Sequence, residues 1–365
     1  MNLFTDWFKR TFSDPQIVIL GVFLVIGLVI IIGLGKWLAP MFASLVIAYL
    51  LEGVVNRLRR IGMPRLPAVI LVFLLFLAVL VLLLFGLIPM LSRQLTQLVQ
   101  QFPTYISQGQ VLLRELPANY PQLVSEEQIQ VITTSLGNEF ARLGQQLLSW
   151  SLASVASVIV LVVYLVLVPV LVFFFLKDKK LLVDWSRNYL PKDHHLASVV
   201  WAESEAQIAN YVRGKVTEIL IVGSVTFITF KFLGLEYSAL LATLVGFSVL
   251  IPYIGAAVVT IPIAFVAFFQ YGWGWDFGQI MIAYAIIQAL DGNLLVPLLF
   301  SEVVDLHPIA IILAILVFGG LWGFWGVFFA IPLATLVNAI LRAWPKKEVD
   351  SEPETELEAE SEAIA

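Results

Sequence analysis

Between Leu66 and Met90 the chain does not carry a single charged or hydrogen-bonding side chain. Such a run belongs in a bilayer, where about 20 mainly apolar residues suffice for a spanning helix. In lipid, only helices and closed barrels satisfy their own backbone groups. The rest of the chain agrees: 60% of residues are hydrophobic and 13% charged, against roughly 25% charged in soluble domains. The implied fold class is an all-α, polytopic membrane protein.

Two apolar segments come earlier, Ile17–Leu34 and Trp37–Val55, with Lys36 and Pro40 marking a break between them. Leu66–Met90 is then the third span, Leu152–Leu176 the fourth and Val216–Leu233 the fifth. Tyr237–Phe269 is interrupted at Pro252 to Gly255 and again at Pro262. Gly278–Phe300 follows, and Ile309–Leu341 reads as one long or broken span, or as a re-entrant pair. About eight crossings result. Arg57, Arg59, Arg60 and Arg65 form a short basic loop; Lys177, Lys179, Lys180, Arg187 and Lys192 form another. Short basic loops stay cytoplasmic, as do Lys9, Arg10, Arg342, Lys346 and Lys347 on this reading, which puts both termini inside. No small-residue cleavage site follows the first apolar segment, so it is expected to be retained.

The expected organisation is a cytoplasmic N-terminus (1–16), three helices (17–90), a helical extramembrane arm (91–149) and the remaining helices (150–345), with a cytoplasmic linker at 177–215. In the arm, Ile129, Ile132, Leu136, Phe140, Leu143, Leu147 and Trp150 make one apolar stripe at helical spacing. Ser125 to Gln128 is a capping box at its start. The stripe packs on the protein's own helices or seams subunits together. Residues 346–365 are acidic, contain proline and lack an apolar face, the composition of a disordered tail.

Several function classes drop out. No cysteine is present, which removes disulfides, thiolate metal sites and a Cys nucleophile. No Ser/His/Asp constellation, phosphate loop or metal-ligand spacing occurs, so neither an enzyme nor a cofactor is expected. His194 and His195 are adjacent and point to different helical faces, which suits a solvated loop. Nucleic-acid binding has no basic aromatic surface to use.

The candidate site lies in the last apolar region. Asp291 falls in the middle of an apolar span, where an ionised carboxylate is costly and marks an ion or substrate path. Gln288 is one turn before it, and Asn293 adds an amide at a different angle. The alternative is structural: Asp291 caps a helix half that restarts after Gly292. Asp305 and His307 follow Pro297, with His307 a proton carrier or a cap before Pro308. Pro252, Tyr253 and Gly255 either free backbone carbonyls beside a polar path or simply kink a helix. The glycines Gly319, Gly320, Gly323 and Gly326 allow close helix contact or an unwound hinge. A short echo links Ile261-Pro262-Ile-Ala264 to Ile331-Pro332-Leu-Ala334, with Gly255 and Gly326 shortly before each proline. Transporters often hold repeated broken helices around a site.

These residues, from Gln288-Ala-Leu-Asp-Gly-Asn-Leu-Leu-Val-Pro297 through Leu306-His-Pro308 to Gly319-Gly-Leu-Trp-Gly-Phe-Trp-Gly326 and Ala330-Ile-Pro332, resemble the signature of the AI-2E (autoinducer-2 exporter-like, PerM) family of bacterial permeases. Leu250-Ile-Pro-Tyr-Ile-Gly255 and Leu38-Ala-Pro40 add to the likeness, which spans about Trp37 to Leu341. Where the family often has Glu, this chain has Asp291. The resemblance implies a multi-pass plasma-membrane (inner-membrane) transporter that assembles as a homo-oligomer. Its cargo would be a small solute or a monovalent cation, moved against a proton or sodium gradient, with Asp291 as the coupling group. The rival expectation is a non-transporting, oligomeric envelope scaffold that holds partners through the 91–149 arm.

Overall fold

The computed structural model describes residues 15–119, 155–188, 195–252, 254–300 and 306–343, with isolated positions between 131 and 142. Every regular element among them is helical. Helix α1 runs Pro15–Arg60 and α2 runs Arg65–Leu82. A π-helical turn, π1 (Leu83–Leu87), joins α2 to α3 (Ile88–Asn119). Next come α4 (Val155–Lys177), α5 (Lys179–Arg187), α6 (His195–Phe232), α7 (Ser238–Ser248), α8 (Ile254–Tyr271) and α9 (Trp275–Leu290). A second π turn, π2 (Asp291–Leu295), carries α9 into α10 (Val296–Phe300), and α11 covers Pro308–Ala343. Among the described residues, five helical stretches are long and apolar enough to cross a membrane, and the bent α4–α5 pair makes a sixth. Helix α6 is not in that set, for Lys215, Glu218 and Lys231 interrupt its apolar half.

Prolines shape the helices without ending them. The break expected at Lys36 to Pro40 is absent, and α1 continues through it for 46 residues. Pro262 likewise lies inside α8 rather than at an interruption. A proline removes one backbone hydrogen bond and crowds the carbonyl four residues back, but in membrane helices neighbouring side chains re-satisfy the freed groups. Ser44, one turn after Pro40, adds a tie to the next helix: its hydroxyl donates back to the Pro40 carbonyl at 2.6 Å and to the Val168 carbonyl of α4 at 3.3 Å. At Pro89 and Pro297 the relief takes another form. The crowded carbonyls would be those of Phe85 and Asn293, and each is the third residue of a π turn. Widening the helix there removes the clash. Pro297 therefore sits within a continuous helix, and the irregularity lies one turn before it. Uninterrupted, α1 is about 69 Å long at 1.5 Å per residue. The chain does not turn back between Ile17 and Val55, so this stretch counts as one crossing rather than two.

Two helical hairpins fill the centre. In the first, α7 and α8 run antiparallel: Leu241 and Val245 share a core with Val259 and Ile263. Its tip is the expected break at Pro252, and its mouth is tied shut. Tyr271 donates to the Leu233 and Gly234 carbonyls at 3.1 and 2.9 Å, and Gln270 donates to Gly234 O at 2.9 Å while accepting from Glu236 N at 2.8 Å. Both ends thus lie on the same side. The second hairpin is α11 itself, bent at Gly323, whose φ of 60° and ψ of −134° are not helical. Ala314 and Ile315 pack with Ala330, and Ile311, Phe318, Val327 and Ala334 join them. In a straight helix Ile315 and Ala330 would stand about 22 Å apart. The segment Ile309–Leu341 therefore folds back on itself at Gly323 instead of running as one straight helix. Gly255 and Gly326 occupy matching places: a methyl group on either would overlap a carbonyl of the opposite arm, that of Ser248 or of Phe318.

The start of the expected arm continues α2 as helix, and Tyr105 stacks on Phe269 of the first hairpin with centroids 5.1 Å apart. The Ser125 capping box, the whole of the apolar stripe, His194 and the acidic tail lie outside the described residues.

Two predictions follow from the hairpins. Single cysteines at Glu236 and Asp276, in this cysteine-free chain, should react with an impermeant maleimide from the same face of the membrane, and one at His307 from the opposite face. Gly255→Ala and Gly326→Ala should each destabilise the protein by about 1–3 kcal/mol or more, read as a lowered melting temperature in detergent.

Candidate functional site

Helix α6 packs against α1, α7, α9, α10 and α11, so the helix with charges in its apolar half stands at the centre of the bundle. Glycines bring it close to its neighbours. Gly223 faces Gly246 of α7, and Gly214 leaves room for the Phe300 ring of α10. Lys215 and Glu218 sit one turn apart on this buried face, with side chains 5% and 2% exposed. Lys215 Nζ lies 2.6 Å from Glu218 Oε2 and donates to Val249 O at 3.0 Å. That carbonyl is free because α7 has just ended at the hairpin tip. The ammonium also lies 5.0 Å from the Phe300 ring centroid and 6.0 Å from that of Tyr211. Each contact replaces part of its lost hydration, as a buried charge requires.

Asp291 joins this pair. It opens π2, and its charge is felt by Glu218 as that of Lys215 is felt by Asp291. Helix lengths agree on the depth. Glu218 is 14 residues from the end of α6 and Asp291 16 residues from the start of α9, about 21 and 24 Å from one face. Asp291 Oδ1 is buried without a hydrogen-bond partner among the described residues, whereas Glu218 Oε2 has the Lys215 ammonium against it. Gln288 Nε2 and the Tyr211 hydroxyl are buried and unpartnered too. Such groups are costly to leave unmade and mark a place where a ligand, ion or water completes the bonding. One ammonium faces two carboxylates, an arrangement that is one charge negative when all three are ionised.

Of the residues singled out in the sequence, the structure brings Asp291 and Gln288 together at this cluster, beside the hairpin tip that Pro252 and Gly255 form. The helix runs on through Gly292 as a π turn, so no helix half restarts there for Asp291 to cap. Asn293 is not part of the cluster: it is exposed, and its amide donates to Ala289 O at 2.8 Å. His307 is exposed at the start of α11, where its Nδ1 accepts from Ile309 N at 3.3 Å. Gly323, Gly326 and Pro332 belong to the second hairpin, which meets the first at a core of Tyr211, Leu250, Phe328 and Ile331. Tyr253 and Asp305 lie outside the described residues. Lys215 and Glu218 were missed. Their signal was a Lys and a Glu three apart at the edge of an apolar segment, which hydropathy averaging hides. No group of three or more metal-ligating side chains occurs among the described residues.

A family model described as "AI-2E family transporter" matches residues 18–346. A protein of Escherichia coli K12 named as a permease, PerM, is 46% identical over 352 residues, covering 96% of this chain and all of the relative. One of Bacillus subtilis named as a transport protein, YueF, is 27% identical over 82% of each chain. A Haemophilus influenzae protein named as a transport protein is 28% identical over 88% of this chain and 92% of its own.

Removing one member of a buried ion pair strands the other charge, at a cost of about 3–5 kcal/mol. Lys215→Met should therefore lower the melting temperature sharply, and Lys215→Met combined with Glu218→Met should recover most of the loss. Equal melting of the two variants would contradict the pairing.

Proposed function

Because the chain belongs to the AI-2E transporter family, we propose that it moves a small solute or a monovalent cation across the membrane at the expense of a proton or sodium gradient, with Asp291 and Glu218 as the coupling carboxylates. One observation carries the reading: Asp291, a buried carboxylate with an unsatisfied oxygen, stands near a second carboxylate, Glu218, whose counter-charge is a single lysine. A proton or sodium ion bound there supplies the missing charge. The Gln288 amide, whose Nε2 is buried without a partner, offers a further contact for a polar solute. The family and the relatives carry transporter names, not enzyme names.

The basic loop at Arg57–Arg65, α5 and the end of α11 lie on the cytoplasmic side of the plasma membrane in this reading, by the bias of short basic loops. The N-terminal end of α1 then falls on the other face, because one continuous helix cannot return its two ends to one side. The termini themselves, expected to be cytoplasmic, lie outside the described residues. Assembly as a homo-oligomer belongs to the same proposal and rests on the family resemblance.

Proteoliposomes with a trapped pH dye and an imposed sodium gradient test the coupling. Wild type should move protons in response, and Asp291→Asn and Glu218→Gln should each cut that flux by roughly tenfold or more while remaining folded. Wild-type flux from both variants would remove the carboxylates from the mechanism. No proton movement in wild type would leave uncoupled solute efflux or the scaffold reading.

A further inference from the structure

A second polar site stands apart from the first. Where α1, α2 and α5 meet, a cleft of ≈ 530 Å³ is lined by Asn56, Arg59, Arg65, Lys179 and Lys180 together with Glu52 and Asp184. Four cations thus face two carboxylates. Glu52 is already shared: its Oε1 lies 3.5 Å from Arg65 Nη1 and 3.6 Å from Lys179 Nζ. Arg65 is fixed further by donating to Leu176 O, in the last turn of α4, at 2.9 Å. Among the described residues, Arg59 and Lys180 have no ion-pair partner. The cleft therefore holds two positive charges more than it neutralises, on side chains positioned by three helix ends.

Its place relative to the membrane follows from α5. Helix α4 is an apolar span, and α5 leaves it at 81°, so α5 lies along the bilayer surface when α4 crosses it. On α5, Leu181 is 68% and Trp185 58% exposed. Apolar side chains and a tryptophan on a surface-lying, basic helix suit the boundary between headgroups and acyl chains. The exposed Leu66 and Ile70 of α2 and Phe174 of α4 extend an apolar wall from the same level.

We infer that this cleft binds the phosphate of an anionic phospholipid, with the acyl chains lying on the apolar wall beside α2, α4 and α5. Arg59 and Lys180 supply the uncommitted charges, and the Glu52-Arg65-Lys179 group holds the frame open. A phosphate diester is a hydrogen-bond acceptor of the right sign for Arg and Lys, and a basic cluster flanking a span is the usual partner of anionic headgroups. A soluble phosphate shares the charge but not the acyl chains, so the wall distinguishes them.

The test is native mass spectrometry of the full chain in detergent, titrated with phosphatidylglycerol or phosphatidylcholine, for wild type and Arg59→Gln/Lys180→Gln. Both residues are exposed, and an unchanged melting temperature will verify folding. Wild type should retain phosphatidylglycerol in preference to phosphatidylcholine, and the double variant should bind it roughly 30-fold more weakly. Equal retention of the two lipids, or an unaffected variant, overturns the site. Displacement of the lipid by an equal concentration of inorganic phosphate would identify a free-phosphate site and overturn the lipid assignment.

Discussion

Burying Lys215 against Glu218 in an apolar bundle is the constraint on which the arrangement of the other helices depends. Neither charge is tolerable there alone. The ammonium therefore needs a carbonyl that no helix is using, and the end of α7 provides one in Val249. It also needs a dry but polarisable wall, which Phe300 and Tyr211 supply. Phe300 can approach only because residue 214 is glycine, and α7 comes close at Gly246, where a Cβ would lie 3.1 Å from Ile219 O. A continuous helix in place of the α7–α8 tip would satisfy Val249 internally and leave the lysine short of a partner.

The two hairpins share one design. Each sends an arm into the bundle, reverses within a few residues, and returns on an arm whose first turn carries a glycine against the opposite backbone. Pro262 and Pro332 come six or seven residues after those glycines, inside the returning helices. The short sequence echo between these stretches is thus a repeated piece of structure. The first hairpin opens beside Glu236 and Asp276, and α9 to α10 then crosses before α11 begins, so the two enter from opposite faces. Their tips end backbone hydrogen bonding at membrane depth, which lipid permits only where protein buries it.

Much of this was legible in the residues. Helical class follows from apolar runs, and the two reversals follow from Pro252 to Gly255 and from the glycines around Gly323. Asp291 was conspicuous because nothing near it in sequence balances its charge. Lys215 and Glu218 were hidden for the converse reason. They cancel each other, and Lys215 falls one residue before the apolar segment begins, where it reads as part of a polar linker. The prolines misled in the other direction. Pro40 and Pro262 look like breaks, but one missing backbone hydrogen bond does not end a helix that is packed among its neighbours. Asn293 was too near Asp291 in sequence to share its face, because two residues turn a helix by about 200°.

The stoichiometry of the cluster gives the transport proposal its physical content. With Lys215 paired to Glu218 and Asp291 near both, the empty site carries one uncompensated negative charge, and a site that has taken up one proton or sodium ion carries none. An uncompensated charge in low dielectric costs several kcal/mol, so the loaded site changes its surroundings more readily than the empty one. On that reading, coupling needs no separate signal between ion and cargo. The lysine sets the count: without it, two bound cations would be required for neutrality, and with it, one suffices. Removing a carboxylate should uncouple rather than merely slow the protein, because the empty site would then be neutral and free to move unloaded.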